Sequence, residues 1–193
     1  MLIPVRTTAP AAKPVTLADV KAYCRVDSVD DDLLLAALID AATDHLDGYS
    51  GILGRCLVEQ EWRLDLSCFP SDMLRLPLGN LIGTSSIKYY DTTSVFQTLS
   101  VTEYDEAEDS IGPFVVPKTG KSWPSTDQCT VAVQVLWYAG FGAAADVPMA
   151  IRQAMLLLIG HWYENREATI AGVTAMPLPF AVEALLAPFR RRA

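Results

Sequence analysis

Several common functions are excluded by what this sequence lacks. Its four cysteines, Cys24, Cys56, Cys68 and Cys129, lie far apart and form no C-x-x-C pair. That argues against a zinc ribbon or dithiol redox motif and fits a reducing compartment. There are two histidines, His45 and His161, too few for a histidine-rich metal centre. The phosphate loops G-x-x-x-x-G-K and G-x-G-x-x-G are absent, and Gly140-Phe-Gly142 reads as the end of a strand. No serine or cysteine stands in a G-x-S-x-G strand–turn–helix setting. No apolar run approaches the roughly 20 residues needed to span a membrane; Ala154 to Ile159 is far too short. The amino terminus, broken by Pro4, Pro10 and Pro14, does not resemble a signal peptide. Basic charge is scarce: 15 Lys and Arg against 23 Asp and Glu give a net charge of −8. Proteins that grip duplex DNA cluster cations against its phosphates, and here the one such run is Arg190, Arg191 and Arg192 at the carboxyl end.

What is present supports one sizeable core. About half of the 193 residues are apolar (51%), enough for a domain that needs no disulfides. Residues 1–14 read as an extended arm rich in Pro and Ala. Thr16, followed three residues later by Asp19, makes a capping box with Asp in place of Glu. Leu17, Val20 and Cys24 then recur at helical spacing. Asp30, Asp31 and Asp32 suit a helix amino terminus, where carboxylates meet the free N–H groups and the positive end of the dipole. They lack the spaced ligands of an EF-hand. Leu34, Leu35, Leu38, Ile39, Ala42 and Leu46 form the apolar face that follows, and Gly48 and Gly51 end it.

From about residue 57 to 140 the character changes. "CLVEQEWRLDL" alternates apolar and polar, "DMLRLP", "SSIKYYD" and "VFQTLSV" read as short strands, and "TVAVQVLWYAG" as a longer one. Residues 103–128 read as a long loop or hairpin excursion. Helix returns after Pro148 and continues to about Glu167, with the centre "AMLLLIG" apolar on nearly every side and therefore expected to be buried all round. A Gly/Pro break at 172–179 precedes a last helix, "FAVEALLAPFRR", interrupted by Pro188. The expected fold is α+β, mainly α: about four helices, at roughly 16–50 and 147–187, form a bundle with a small antiparallel β unit inserted. The domain so defined spans 15–187, and residues 188–193 form a tail projecting from it.

The densest polar constellation is "HWYENRE", residues 161–167. His161 and Glu164 share a helix face, which raises two chemical readings. One is a metal site, but the order is His-x-x-Glu, the reverse of the di-iron motif, and His45 has Ala42 where a glutamate is needed. The other is general acid–base catalysis by His161, for which the sequence supplies no placed nucleophile. A structural reading accounts for more residues. Trp162 and Arg166, Tyr163 and Glu167, and His161 and Asn165 are each four apart, so the helix can satisfy its own polar groups. His161, Trp162, Tyr163, Glu164, Asn165 and Arg166 are therefore expected to form a structural polar layer, with no catalytic residue, cofactor or metal.

With these segments placed, the sequence resembles the head–tail connector (adaptor, or head-completion) proteins of long-tailed bacteriophages and gene-transfer particles. The resemblance lies in "VTLADVKAYCRVD", "DDDLLLAALIDAATDHLDGYSG", "EQEWRLDL…FP", "LPLGNLIGTSSIKYYD", "VPMAIRQAMLLLIGHWYENRE" and "LPFAVEALLAPFR". It implies a mostly helical fold with a β insertion and a non-enzymatic virion protein. Such proteins form a homo-oligomeric ring of about twelve subunits at the neck, built from heterologous interfaces. The ring sits between the portal protein and a stopper or tail-completion protein, and is assembled in the bacterial cytoplasm with no membrane involved. Duplex DNA passes through the lumen without specific binding. The resemblance also implies a portal-docking carboxyl-terminal segment, here Phe189, Arg190, Arg191 and Arg192. The rival readings are a small metal-dependent or hydrolytic enzyme using His161 and Glu164 or His45, and a generic protein-interaction module.

Overall fold

The computed structural model describes residues 2–165 and 180–191. Eight strands and four α-helices are distributed along it. β1 (Val5–Thr8) precedes α1 (Leu17–Cys24) and α2 (Asp32–Leu46); β2 (Gln60–Leu66), β3 (Leu74–Arg75), β4 (Leu81–Tyr90) and β5 (Phe96–Leu99) follow. Next come β6 (Tyr104–Glu108), β7 (Pro113–Pro117), β8 (Val133–Ala139), α3 (Met149–Glu164) and α4 (Phe180–Leu186). The expectation of a mainly α protein is overturned. Among the described residues, strands and α-helices are of similar extent, and the strands form two antiparallel sheets.

The larger sheet has the order β1-β2-β8-β4-β5 and the smaller β3-β7-β6. β2 and β8 pair without a register break from Gln60↔Ala139 to Leu66↔Val133. This pairing puts Trp62 opposite Trp137 and Leu64 opposite Val135 on one face. That face meets Leu74, Tyr104 and Val115 of the smaller sheet in a single apolar core. Two packed sheets replace the small insertion that was expected, because each buries an alternating face that it could not bury alone.

The helices make a second core. Val20, Leu35, Ile39, Ala42, Leu46, Ile151, Ala154, Met155, Leu158, Ile159, Val182 and Leu186 all lie within it. In α3 the buried positions 151, 154, 155, 158 and 159 trace one helical stripe, while Leu156 and Leu157 are only partly covered. The helix is thus amphipathic, not buried all round. Gly160 lets α1 approach: a Cβ there would stand 2.9 Å from Tyr23 Cε1. Residues 53–58 join the two cores, with Leu53, Leu57 and Val58 in the helical one and Cys56 in the β one.

The ends of the chain are tied in. Residues 5–8, expected as an arm, are extended but add an edge strand to β2. The capping box forms: Thr16 Oγ1 accepts from the Asp19 N–H (3.1 Å) and Asp19 Oδ2 from the Thr16 N–H (2.9 Å). The Thr16 N–H and hydroxyl both donate to Asp19 Oδ2 and hold the Asp19 carboxyl below its usual pKa. The Asp triplet does begin α2, but without a side-chain cap: Asp32 takes Lys21 at 2.6 Å and Asp31 takes Tyr163.

Candidate functional site

Two polar assemblies stand out, one at the end of α3 and one where the helical layer meets both sheets. At the first, neighbouring aromatics reach opposite ends of α2. The Tyr163 hydroxyl donates to Asp31 Oδ2 at 2.6 Å, and the Trp162 ring lies edge-on to His45, with centroids 6.4 Å apart. Trp162 and Tyr163 are both half-buried against the helical core. Asn165 Nδ2 donates to the His161 carbonyl (2.9 Å) and lies 3.4 Å from its Nδ1. Glu164 is exposed. Arg166 and Glu167, the expected partners of Trp162 and Tyr163, lie outside the described residues, as does the break at 172–179.

The two enzyme readings gain no constellation here. Among the described residues no group of three His, Cys, Asp or Glu side chains is placed to hold a metal. Burial, with Glu164 nearby, raises the pKa of the Cys24 thiol, which disfavours the nucleophilic thiolate. Burial pushes Cys56 well above the usual thiol range as well. No described helix is long and apolar enough to cross a membrane.

The second assembly surrounds the carboxyl end. α4 ends at Leu186, and a 3-10 turn covers Ala187–Phe189. Pro188 ends the α-helix as expected, but Phe189 and Arg191 do not project. Phe189 packs on the helical core with its ring edge-on to Phe141, 6.5 Å between centroids. Its carbonyl accepts from Arg55 Nε at 2.6 Å, while Arg55 Nη1 donates to Asn80 Oδ1, also at 2.6 Å. The Arg191 N–H bonds the Leu53 carbonyl at 3.0 Å. Its guanidinium donates to the carbonyls of Ile111 (2.7 Å) and Pro77. Arg190 is exposed, 4.0 Å from Glu183; Arg192 lies outside the described residues.

A third cluster was invisible from the sequence. Asp47, just past α2, is buried and accepts from the Leu57 N–H (2.6 Å) and from Gln60 Nε2 (2.9 and 3.0 Å). Arg6 of β1 comes within 3.9 Å of it. Burial raises the Asp47 pKa despite these partners. Asp47 therefore fastens β1, β2 and the end of α2 together. Neither spacing nor composition signals it, because Arg6, Asp47 and Gln60 meet only through the sheet pairing.

Residues 14–74, covering α1, α2 and β2, match the family model of phage gp6-like head-tail connector proteins. No curated protein sequence matches the chain. Among solved structures, a chain from the neck of an empty gene transfer agent (GTA) particle, computed with C6 symmetry, aligns with a TM-score of 0.79 at 22% identity. A chain from the virion of a native GTA particle aligns at 0.78 and 23%, and one from a native GTA neck with C12 symmetry at 0.73 and 23%. Each alignment covers 100% of this chain and 97% of the other. The resemblance read from the sequence is thus borne out: residues 14–74 match the head-tail connector family model, and the fold is shared end to end with chains of GTA particles.

Proposed function

We propose that this protein is a structural, non-enzymatic subunit of a virion or GTA-like neck, joining the head to the tail. The match of residues 14–74 to the connector family carries this reading, and the full-length likeness to chains from GTA particles supports it. In this reading about twelve copies close into a ring through two different faces on each subunit. The ring bridges the portal protein to a stopper or tail-completion protein, and duplex DNA passes through it without being gripped. Phe189 and Arg190 to Arg192 form the portal-docking segment. The composition favours such a role, since an aromatic anchor beside forked guanidinium groups is typical of interface hot spots. The His161–Arg166 stretch is structural.

Deleting the gene from the particle's assembly system tests the role. The expected products are filled or partly filled heads without tails, restored by the wild-type protein supplied in trans. Normal tailed particles in its absence would refute the proposal.

A further inference from the structure

The tail assigned above to docking is not free in the isolated subunit; it is fastened into a site built for it. Three main-chain groups converge on Arg191: its own N–H is taken by Leu53, and its guanidinium by Ile111 and Pro77. These come from the loop after α2, the β6–β7 turn and the segment after β3, so one residue, through its main chain and its side chain, ties the helical layer to the smaller sheet. The turn presenting the Ile111 carbonyl is itself fixed. Asp109 Oδ1 accepts from the N–H groups of Ile111 (2.9 Å) and Gly112 (3.0 Å), and the Asp109 carboxylate is gripped by Arg75 at 2.7 and 2.9 Å. Gly112 supplies the space: at φ +141° it favours glycine, and a Cβ there would stand 2.7–2.9 Å from the Arg191 guanidinium.

The same site opposes its occupant electrostatically. Among the described residues no carboxylate bonds Arg191, and its guanidinium donates to neutral carbonyls. Burial lowers its pKa, and Arg55 and Arg75 add to that effect against the opposing pull of Glu108 and Asp109. A cation held by carbonyls, with no carboxylate bonded to it among the described residues, is fastened without an ion-pair partner of its own. An acidic surface could offer it better partners, since charge-assisted bonds to carboxylates exceed neutral ones in strength.

We propose that Arg191 is a reversible latch: the carbonyls of Leu53, Pro77 and Ile111 store the carboxyl-terminal tail on the free subunit, and an acidic surface on the portal draws it out. This rests on the docking role proposed for the tail. Storage keeps Phe189 on Phe141 and away from solvent until a partner is present, which limits premature association of free subunits.

Hydrogen exchange on the free full-length protein tests the latch itself. The Arg191 amide should be protected in the wild type. It should exchange at least tenfold faster in Arg191→Ala, with Arg191→Lys intermediate because an ammonium lacks the planar fork. Unchanged protection of that amide in Arg191→Ala would overturn the latch. Competition is tested with Gly112→Ala, which closes the cradle and leaves every tail residue in place. If the rest of its exchange map is native, this variant should release the tail and bind purified portal rings several-fold more tightly than the wild type. A released tail with unchanged or weaker portal binding would overturn the competition. A tail latched as described in a protein that binds no portal, even when Phe189 to Ala193 are intact and released, would leave the latch standing and refute the docking role instead. Should Gly112→Ala fail to fold, Arg55→Ala, which removes the clasp on the Phe189 carbonyl, provides the same comparison.

Discussion

The Tyr163 hydroxyl stands 2.6 Å from Asp31 Oδ2, across 132 residues of sequence. A carboxylate expected to cap α2 instead receives the end of α3. A hydrogen bond to a charged group contributes more than a neutral one, but partial exposure reduces it. We expect Tyr163→Phe to cost about 1 kcal/mol, with Asp31→Ala similar and the double variant less than additive. Thermal melts measure this. Fully additive losses would mean that the two side chains act separately.

Trp162 is half-buried against the helical core and edge-on to His45. Trp162→Ala should cost about 2–4 kcal/mol, the lower part of the range for deleting a large aromatic. His161→Ala, whose ring makes a long contact to Asn165 among the described residues, should cost under about 1 kcal/mol. The reverse order in chemical denaturation would point to a role for His161 beyond packing.

Asp47 gives a pH signature. Burial raises its folded pKa above the ordinary 3.8, so the folded state favours the protonated form. This contribution is fully present below the unfolded value and is lost as pH rises through the folded one. Asp47→Asn stays neutral and can still accept from Leu57. Its stability relative to the wild type should therefore improve between pH 4 and pH 7. A relative loss over that interval would mean that the bonds from Leu57 and Gln60 outweigh the cost of burying the charge.

Duplex DNA should bind the isolated protein weakly. At −8 per subunit, about twelve copies would carry on the order of −100, and long-range attraction for phosphate is absent. The lysines of the loop after β7 are already engaged: Lys118 lies 3.7 Å from Asp105, and Lys121 3.2 Å from Glu103. Gel-shift titration at physiological salt should show no submicromolar complex. Tight, salt-sensitive binding would replace the sliding channel with a gripping one.

The helices were legible because their signals are local. Thr16 and Asp19 form the box that their spacing announces, and Pro148 directly precedes α3. Sheet content was underestimated because several strands lack an alternating signature. β1 is exposed at all four positions, and β6, "YDEAE", buries only Tyr104. Their strand character comes from pairing, which local sequence does not encode. The packing of the tail against the domain was not legible for a related reason. Three consecutive arginines look solvated, and the carbonyls that receive Arg191 belong to residues 80 to 138 positions earlier. The polar layer was foreseen as intrahelical pairs, but Tyr163 crosses to Asp31 because α2 lies within its reach.

The central claim is that this chain builds a neck ring on a portal. Mixing purified protein with purified portal rings and measuring the product by single-particle electron microscopy tests it most directly. The account predicts a second ring of about twelve subunits stacked coaxially on the portal, lost when Phe189 to Ala193 are deleted in a variant that keeps the wild-type circular dichroism but melts lower for want of the Phe189 and Arg191 contacts. Portal rings that remain bare at saturating wild-type protein would contradict it.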